Sequence, residues 1–243
     1  MRSSNPALTS KTFDNYHTAS DAMTLSGTAN KTFFLLVFVV ASASITWRMF
    51  VESGQQAVLP YFYGGLIASL ILAIVTIIKK ESSAVTAPLY AIAEGLSLGA
   101  LSAIMESVFP GIVIQAVFLT FGTLFTLLLA YRLDLINATE NFKLGVVSAT
   151  GGICFLYLAS FFMRLVGGTH IPFIHSTGPI GIGFSVFVVI IAALNLVLDF
   201  DFIEKGVEKQ APKYMEWYAA FGLLVTLVWL YIEILHLLSK LRR

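Results

Sequence analysis

Charge is scarce in this chain. Asp, Glu, Lys and Arg make up 12% of its 243 residues, about half the roughly 25% of an ordinary soluble domain. Low charge with 57% hydrophobic residues and a mean hydropathy of +0.84 excludes the usual soluble classes and points to a membrane protein. The net charge of +1 leaves no broad basic field, so nucleic acid is not an expected partner. Cysteine is nearly absent. Cys154 stands alone within an apolar run, which rules out an intrachain disulfide and any cysteine-based metal site. An H-E-x-x-H pair and a phosphate-cradling glycine loop are also lacking, and no resident cofactor is expected. A cleavable signal peptide would need a short basic start followed directly by an apolar core. Here the first apolar run begins only near Phe33. Residues 1–31, rich in Ser, Thr and Asn, read as a polar N-terminal tail, and 32–243 as a membrane domain.

Long apolar runs are what the chain does have. About 20 apolar residues in a helix cross the ~30 Å hydrocarbon layer. Seven runs qualify: 33–51, 58–78, 86–107, 112–131, 145–166, 179–203 and 215–239. Unpaired backbone groups are not tolerated in lipid, so each run is expected to be a helix. The breaks carry turn or charge signals, among them Pro60, Lys79-Lys80-Glu81, Pro110-Gly111 and Glu204 to Pro212. The expected fold is all-α, a polytopic bundle of seven transmembrane helices.

Lys and Arg are unevenly spread. Arg2, Lys11, Lys31, Lys79, Lys80, Arg132, Lys143, Lys205, Lys209 and Lys213 fall on one side, with Arg48, Arg164, Lys240, Arg242 and Arg243 on the other. The positive-inside rule then places the N-terminus in the cytoplasm and the C-terminus outside.

A carboxylate inside a span is a functional candidate by default, since insertion costs about 2.5–3.5 kcal/mol even on lenient scales. At 1.5 Å per residue, Glu94 sits roughly 12 Å, and Asp199 roughly 6 Å, from the cytoplasmic ends of their runs. Asn195 is one turn deeper than Asp199 and on the same face, whereas Asp201 points nearly the opposite way. Glu94, Asn195 and Asp199 thus share a layer, with Lys79 at its edge. Glu233 and Glu106 belong nearer the outer face. Ala91, Gly95, Gly99 and Ala103 recur every four residues, a small-residue ridge that lets helices pack closely. Glu94 beside this ridge is expected to face the bundle. The bland readings are a neutral carboxyl bonded across helices for Glu94, an interfacial residue for Asp199, and topology signals for Lys79, Lys80 and Arg132. His170 and His175, in an outer loop, read as solvated residues.

Two motifs tempt towards an enzyme. Gly95-Leu-Ser-Leu-Gly99 matches G-x-S-x-G, but a nucleophile elbow needs a strand, a strained turn and a helix, and this stretch reads as continuous helix. Glu233-Ile-Leu-His236 is one Glu-x-x-His pair, where a di-iron bundle needs two with two further glutamates. No enzyme is expected.

The seven-span layout, Ala93-Glu-Gly-Leu-Ser-Leu-Gly99, Leu198-Asp-Phe-Asp-Phe-Ile203, Leu230-Tyr-Ile-Glu233 and Ser4-Asn-Pro-Ala-Leu8 stand together in this sequence. On these the chain resembles a prokaryotic member of the Bax inhibitor family (the transmembrane Bax-inhibitor-motif or YccA-like proteins). The resemblance implies a bundle around a central hydrophobic helix. It also implies a calcium leak controlled by protons through acids of the last two helices, and a basic residue ending span two that latches the span-six acid. Asp199 matches that acid, and Lys79 fits the basic position. For span seven, the motif selects Glu233, whereas loop length and depth favour a register near Thr226.

The leading expectation is a pH-sensitive calcium leak channel of the cytoplasmic (inner) membrane. Asp199, Asp201, Glu233 and Lys79 would form its gate, Glu94 and Asn195 would line its path, and Asp199 and Glu94 would touch calcium transiently. Oxygen ligands suit calcium, and embedded, clustered carboxylates suit a proton switch. The alternatives are a non-conducting regulator that binds membrane proteases or other membrane proteins, and a proton-coupled transporter. The expected partners are the lipid bilayer, calcium and protons.

Overall fold

The computed structural model describes residues 22–167 and 176–242. They form seven long helices: α1 (Leu25–Ser53), α2 (Gln55–Ile78), α3 (Ser83–Val108), α4 (Ile112–Arg132), α5 (Glu140–Gly167), α6 (Pro179–Glu208) and α7 (Met215–Leu241), with a short 3-10 turn at Lys80–Ser82. All seven are long and apolar enough to span a membrane, and each holds one expected span. The protein is therefore a multi-pass membrane protein. His170, His175 and the Ser4–Leu8 segment lie outside the described residues.

Three helices run past their apolar runs by about five residues or more, because polar turns belong to the helix without raising hydropathy. α1 starts at Leu25, where the Thr24 hydroxyl accepts from the Gly27 amide at 2.9 Å, an N-cap that satisfies a free first-turn donor. α5 starts at Glu140 and α6 continues to Glu208. The α3–α4 turn is closed by Glu106, whose carboxylate accepts from the amides of Gly111 (2.5 Å) and Val113 (3.1 Å). Gly111 takes a φ of 82° there, a left-handed conformation that glycine adopts without steric cost.

α3 and α7 are the inner helices. Of their most apolar stretch, 61% is buried, against 17–22% in α1, α2, α4 and α5. α7 packs against α1, α3, α4 and α6, and α3 lies between α1 and α2. The outer helices turn residues such as Phe33, Ile67, Phe118 and Phe155 outward. In water such surfaces would aggregate; in lipid they are the solvated face.

The small-residue ridge of α3 is where α1 comes closest. A Cβ on Gly95 would lie 2.0 Å from Ser42 Oγ, and one on Gly99 2.2 Å from the Ala43 carbonyl oxygen. On the other side Gly65 of α2 approaches Ala93, and Ser97 donates to the Phe62 carbonyl at 3.1 Å. Ser97 is thus a packing serine within a continuous helix, and the stretch lacks the strand and turn of a nucleophile elbow.

The two ends of the bundle are stitched separately. At the end where α1 begins, the Met23 amide donates to the Ala211 carbonyl at 2.7 Å and Ser83 to that of Tyr214 at 3.1 Å. At the opposite end, Lys240 reaches Gly181 and Ser185, and Arg242 reaches Phe109, Pro110 and Gln115. The first and last helices therefore begin and finish at opposite ends.

Candidate functional site

Asp199 is 0% exposed, deep within α6. It lies nine residues before the helix ends at Glu208, hence roughly 14 Å in. Glu94 is 7% exposed and eleven residues into α3, roughly 16 Å. Both lie further from their helix ends than from the ends of the apolar runs, because polar turns extend the helices, and by these offsets the two keep a common layer. Ser69 of α2 lies near the Glu94 carboxyl. Glu94 faces the α2–α3 interface, inside the bundle as expected.

Asn195 is also buried. Its amide donates to Thr150 Oγ1 of α5 at 2.9 Å and to the Ile191 carbonyl at 2.8 Å. One bond is a helical back-bond and the other ties α6 to α5. Asp201, two residues past Asp199, points away from it as expected and meets two lysines: Lys143 of α5 at 2.9 Å and Lys205 of its own helix at 2.8 Å. Lys143 is 2% exposed and also touches Glu140 at 3.3 Å. Beside this cluster Tyr131 of α4 donates to Glu204.

Glu233 occupies a separate place. Its carboxylate accepts from Tyr157 of α5 at 3.0 and 3.2 Å and from Trp229 at 3.2 Å. Lys143, Thr150 and Tyr157 follow one another at steps of seven on α5, so they share one face. They engage Asp201, Asn195 and Glu233 in turn. This ladder also measures depth: fourteen residues separate Lys143 from Tyr157, roughly 21 Å along the helix. Glu233 therefore belongs near the far end of the bundle, well removed from Asp199. Thr226, two turns earlier on α7, is buried at the intermediate depth. His236, the other half of the Glu-x-x-His pair, is exposed.

Lys79 is the candidate that the structure does not bring in. It is exposed at the end of α2, and among the described residues no ion pair joins it to Asp199. The lysine that grips the acidic end of α6 is Lys143, and its partner is Asp201. The heptad spacing of Lys143, Thr150 and Tyr157 was present in the sequence, but only packing reveals which helix their face meets.

A second cluster escaped sequence reasoning altogether. Glu216, in the first turn of α7, is fully buried. It accepts from the Thr24 amide (2.9 Å) and hydroxyl (3.0 Å) and pairs with Lys213 (3.2 Å) and with Lys31 of α1. The Lys31 ammonium also lies 5.6 Å from the Trp217 ring centroid. A Cβ on Gly27 would strike the Glu216 carboxylate at 2.1 Å, so glycine there makes room for the acid. The sequence signal was slight: a glutamate at a helix start, three residues after a lysine.

Among the described residues, no group of three or more His, Cys, Asp or Glu gathers closely enough to hold a metal ion. Asp199 and Glu94 thus offer separate oxygen donors and no closed cage.

Comparison with protein families gives one result. A model described as Bax inhibitor 1 like matches residues 5–243. No curated protein matches the chain, and no solved structure does.

Proposed function

Because the chain belongs to the Bax inhibitor 1-like family, we propose that it is a proton-controlled calcium leak channel of the cytoplasmic membrane. The observation that carries this reading is Asp199: a carboxylate with no solvent exposure, roughly 14 Å inside a membrane helix. An ionisable group held there is costly, and such groups mark ion or proton paths more often than they serve packing. Glu94 against α2 and Asn195 against α5 place further oxygens at similar offsets but at other helix interfaces. A permeant ion must be bound weakly enough to leave, and separated carboxylates fit calcium passage better than a cage would.

Control by protons follows from the same placement. Desolvation and neighbouring acids make the charged carboxylate harder to keep, and neighbouring lysines make it easier. Asp201 between Lys143 and Lys205 holds α5 to α6 at the end where α1 begins. Proton uptake by the carboxylates of this end would weaken that hold and favour opening. Lys79 was expected to latch Asp199; in this reading the latch is Lys143 on Asp201.

The test is calcium entry into dye-loaded liposomes across a pH series. Asp199→Asn imitates the protonated acid, so it should leak at high pH and lose most of its pH dependence. Asp201→Asn breaks the Lys143 and Lys205 pairs, so it should leak at high pH as well, and Glu94→Gln should alter flux without unfolding the protein. A wild-type pH profile from Asp199→Asn would remove this carboxylate from the mechanism. Silence from the wild-type protein would instead favour a non-conducting regulator of membrane proteins.

A further inference from the structure

An apolar groove of about 440 Å³ opens sideways between α1 and α4, floored by α3 and α7. Its size falls within the ~300–1,000 Å³ of small-ligand sites. We infer that this groove holds one acyl chain of a phospholipid from the leaflet next to the C-terminus of α7.

Three observations select that occupant. The first is chemistry. The polar side chains that line the groove are Ser44, Ser102, Thr120, Tyr231 and the indole of Trp47. All four hydroxyls are already committed: Ser44 to the Val40 carbonyl, Thr120 to that of Ala116, and Ser102 to Tyr231 at 2.6 Å. The donor hydrogens of Ser44 and Thr120 are spent on their own helices, so a polar guest would recover few of its hydrogen bonds to water here, whereas an alkyl chain loses none.

The second is length. On α1 the lining runs from Leu36 to Trp47, eleven steps or roughly 16 Å. That is about half of the ~30 Å hydrocarbon layer, the reach of one leaflet's chains.

The third is charge at the rim. Val40 and Ser44 line the groove, and Arg48 continues their stripe one turn beyond, its side chain 80% exposed. Its present partner is Glu52, an exposed i,i+4 pair that contributes little. The guanidinium is therefore available to a lipid phosphate, and Trp47 sits at the depth where indoles anchor at the membrane interface. Tail in the groove and phosphate at Arg48 form a single continuous fit.

The inference does not depend on calcium conduction and is tested without it. The protein in nanodiscs is labelled with a phosphatidylcholine that carries a diazirine in one acyl chain, and adducts are mapped by peptide mass spectrometry. Adducts are expected on Val228 and Tyr231, which belong to the inner helix α7 and line the groove. Val117→Trp fills the groove from α4 and should abolish them while leaving adducts on the outward-facing Phe118 unchanged. Ser44→Phe fills it from the opposite wall and should give the same result if Val117→Trp does not fold. Wild-type protein without adducts on α7, or α7 adducts that survive a folded, filled variant, would overturn the assignment.

Discussion

Glu216→Ala should destabilise the protein by about 3 kcal/mol. The structure gives the reasons. The carboxylate is buried, and its removal strands Lys31, whose side chain is 18% exposed, together with the amide of Thr24, the residue whose hydroxyl caps α1. Removing one partner of a buried ion pair costs about 3–5 kcal/mol, and an orphaned buried donor about 1–3 kcal/mol. These two do not add, because both lysines can turn towards water: Lys213 is half exposed already. The low end of the range is therefore expected. Urea unfolding in detergent micelles, followed by tryptophan fluorescence, measures it. Glu216→Gln keeps the shape and one acceptor and should lose less. Lys31→Met with Glu216→Ala removes the stranded cation and should recover part of the loss, the sign of direct coupling. Hydrogen exchange should localise the damage to the first turns of α1. If Glu216→Ala unfolds within about 0.5 kcal/mol of wild type, as an ordinary surface change would, the cluster does not hold the two helix starts together.

Gly95→Ala should cost about 1–3 kcal/mol of overpacking, since its methyl would sit 2.0 Å from Ser42 Oγ, whereas Gly151→Ala, with nothing within 4 Å, should be neutral or slightly stabilising; thermal melts of the two compare them directly. Lys143→Met removes one charged hydrogen bond from Asp201 but leaves Lys205, so a loss of about 1.5–3 kcal/mol is expected, with more rapid hydrogen exchange at the start of α5; unchanged exchange there would discount the α5–α6 latch. Reporter fusions at both termini should read cytoplasmic at the N-terminus and external at the C-terminus, and a cytoplasmic signal from the C-terminal fusion would reverse the lysine and arginine argument.

Seven helices, their order and most of their bounds were legible in the sequence, for a simple reason. Lipid cannot hydrogen-bond the backbone, so an apolar run of sufficient length has one structure open to it. The ridge Ala91, Gly95, Gly99, Ala103 was legible too, because a step of four fixes a face whatever lies opposite. The opposite rotations of Asp199 and Asp201 follow from the same periodicity. Partnership was not legible. Periodicity says that Lys143, Thr150 and Tyr157 share a side of α5, but not that this side meets Asp201, Asn195 and Glu233. Nor does it show that Lys79 stays exposed while Lys143 reaches Asp201. Glu216 looked like a residue at a helix start until α1 folded its Thr24 and Lys31 over it. In each case the deciding contact joins side chains far apart in the chain, at distances of about 3 Å that only the packing of whole helices sets. A hydropathy pattern constrains a helix against its solvent; which polar groups meet is decided by how the helices rotate and cross against one another.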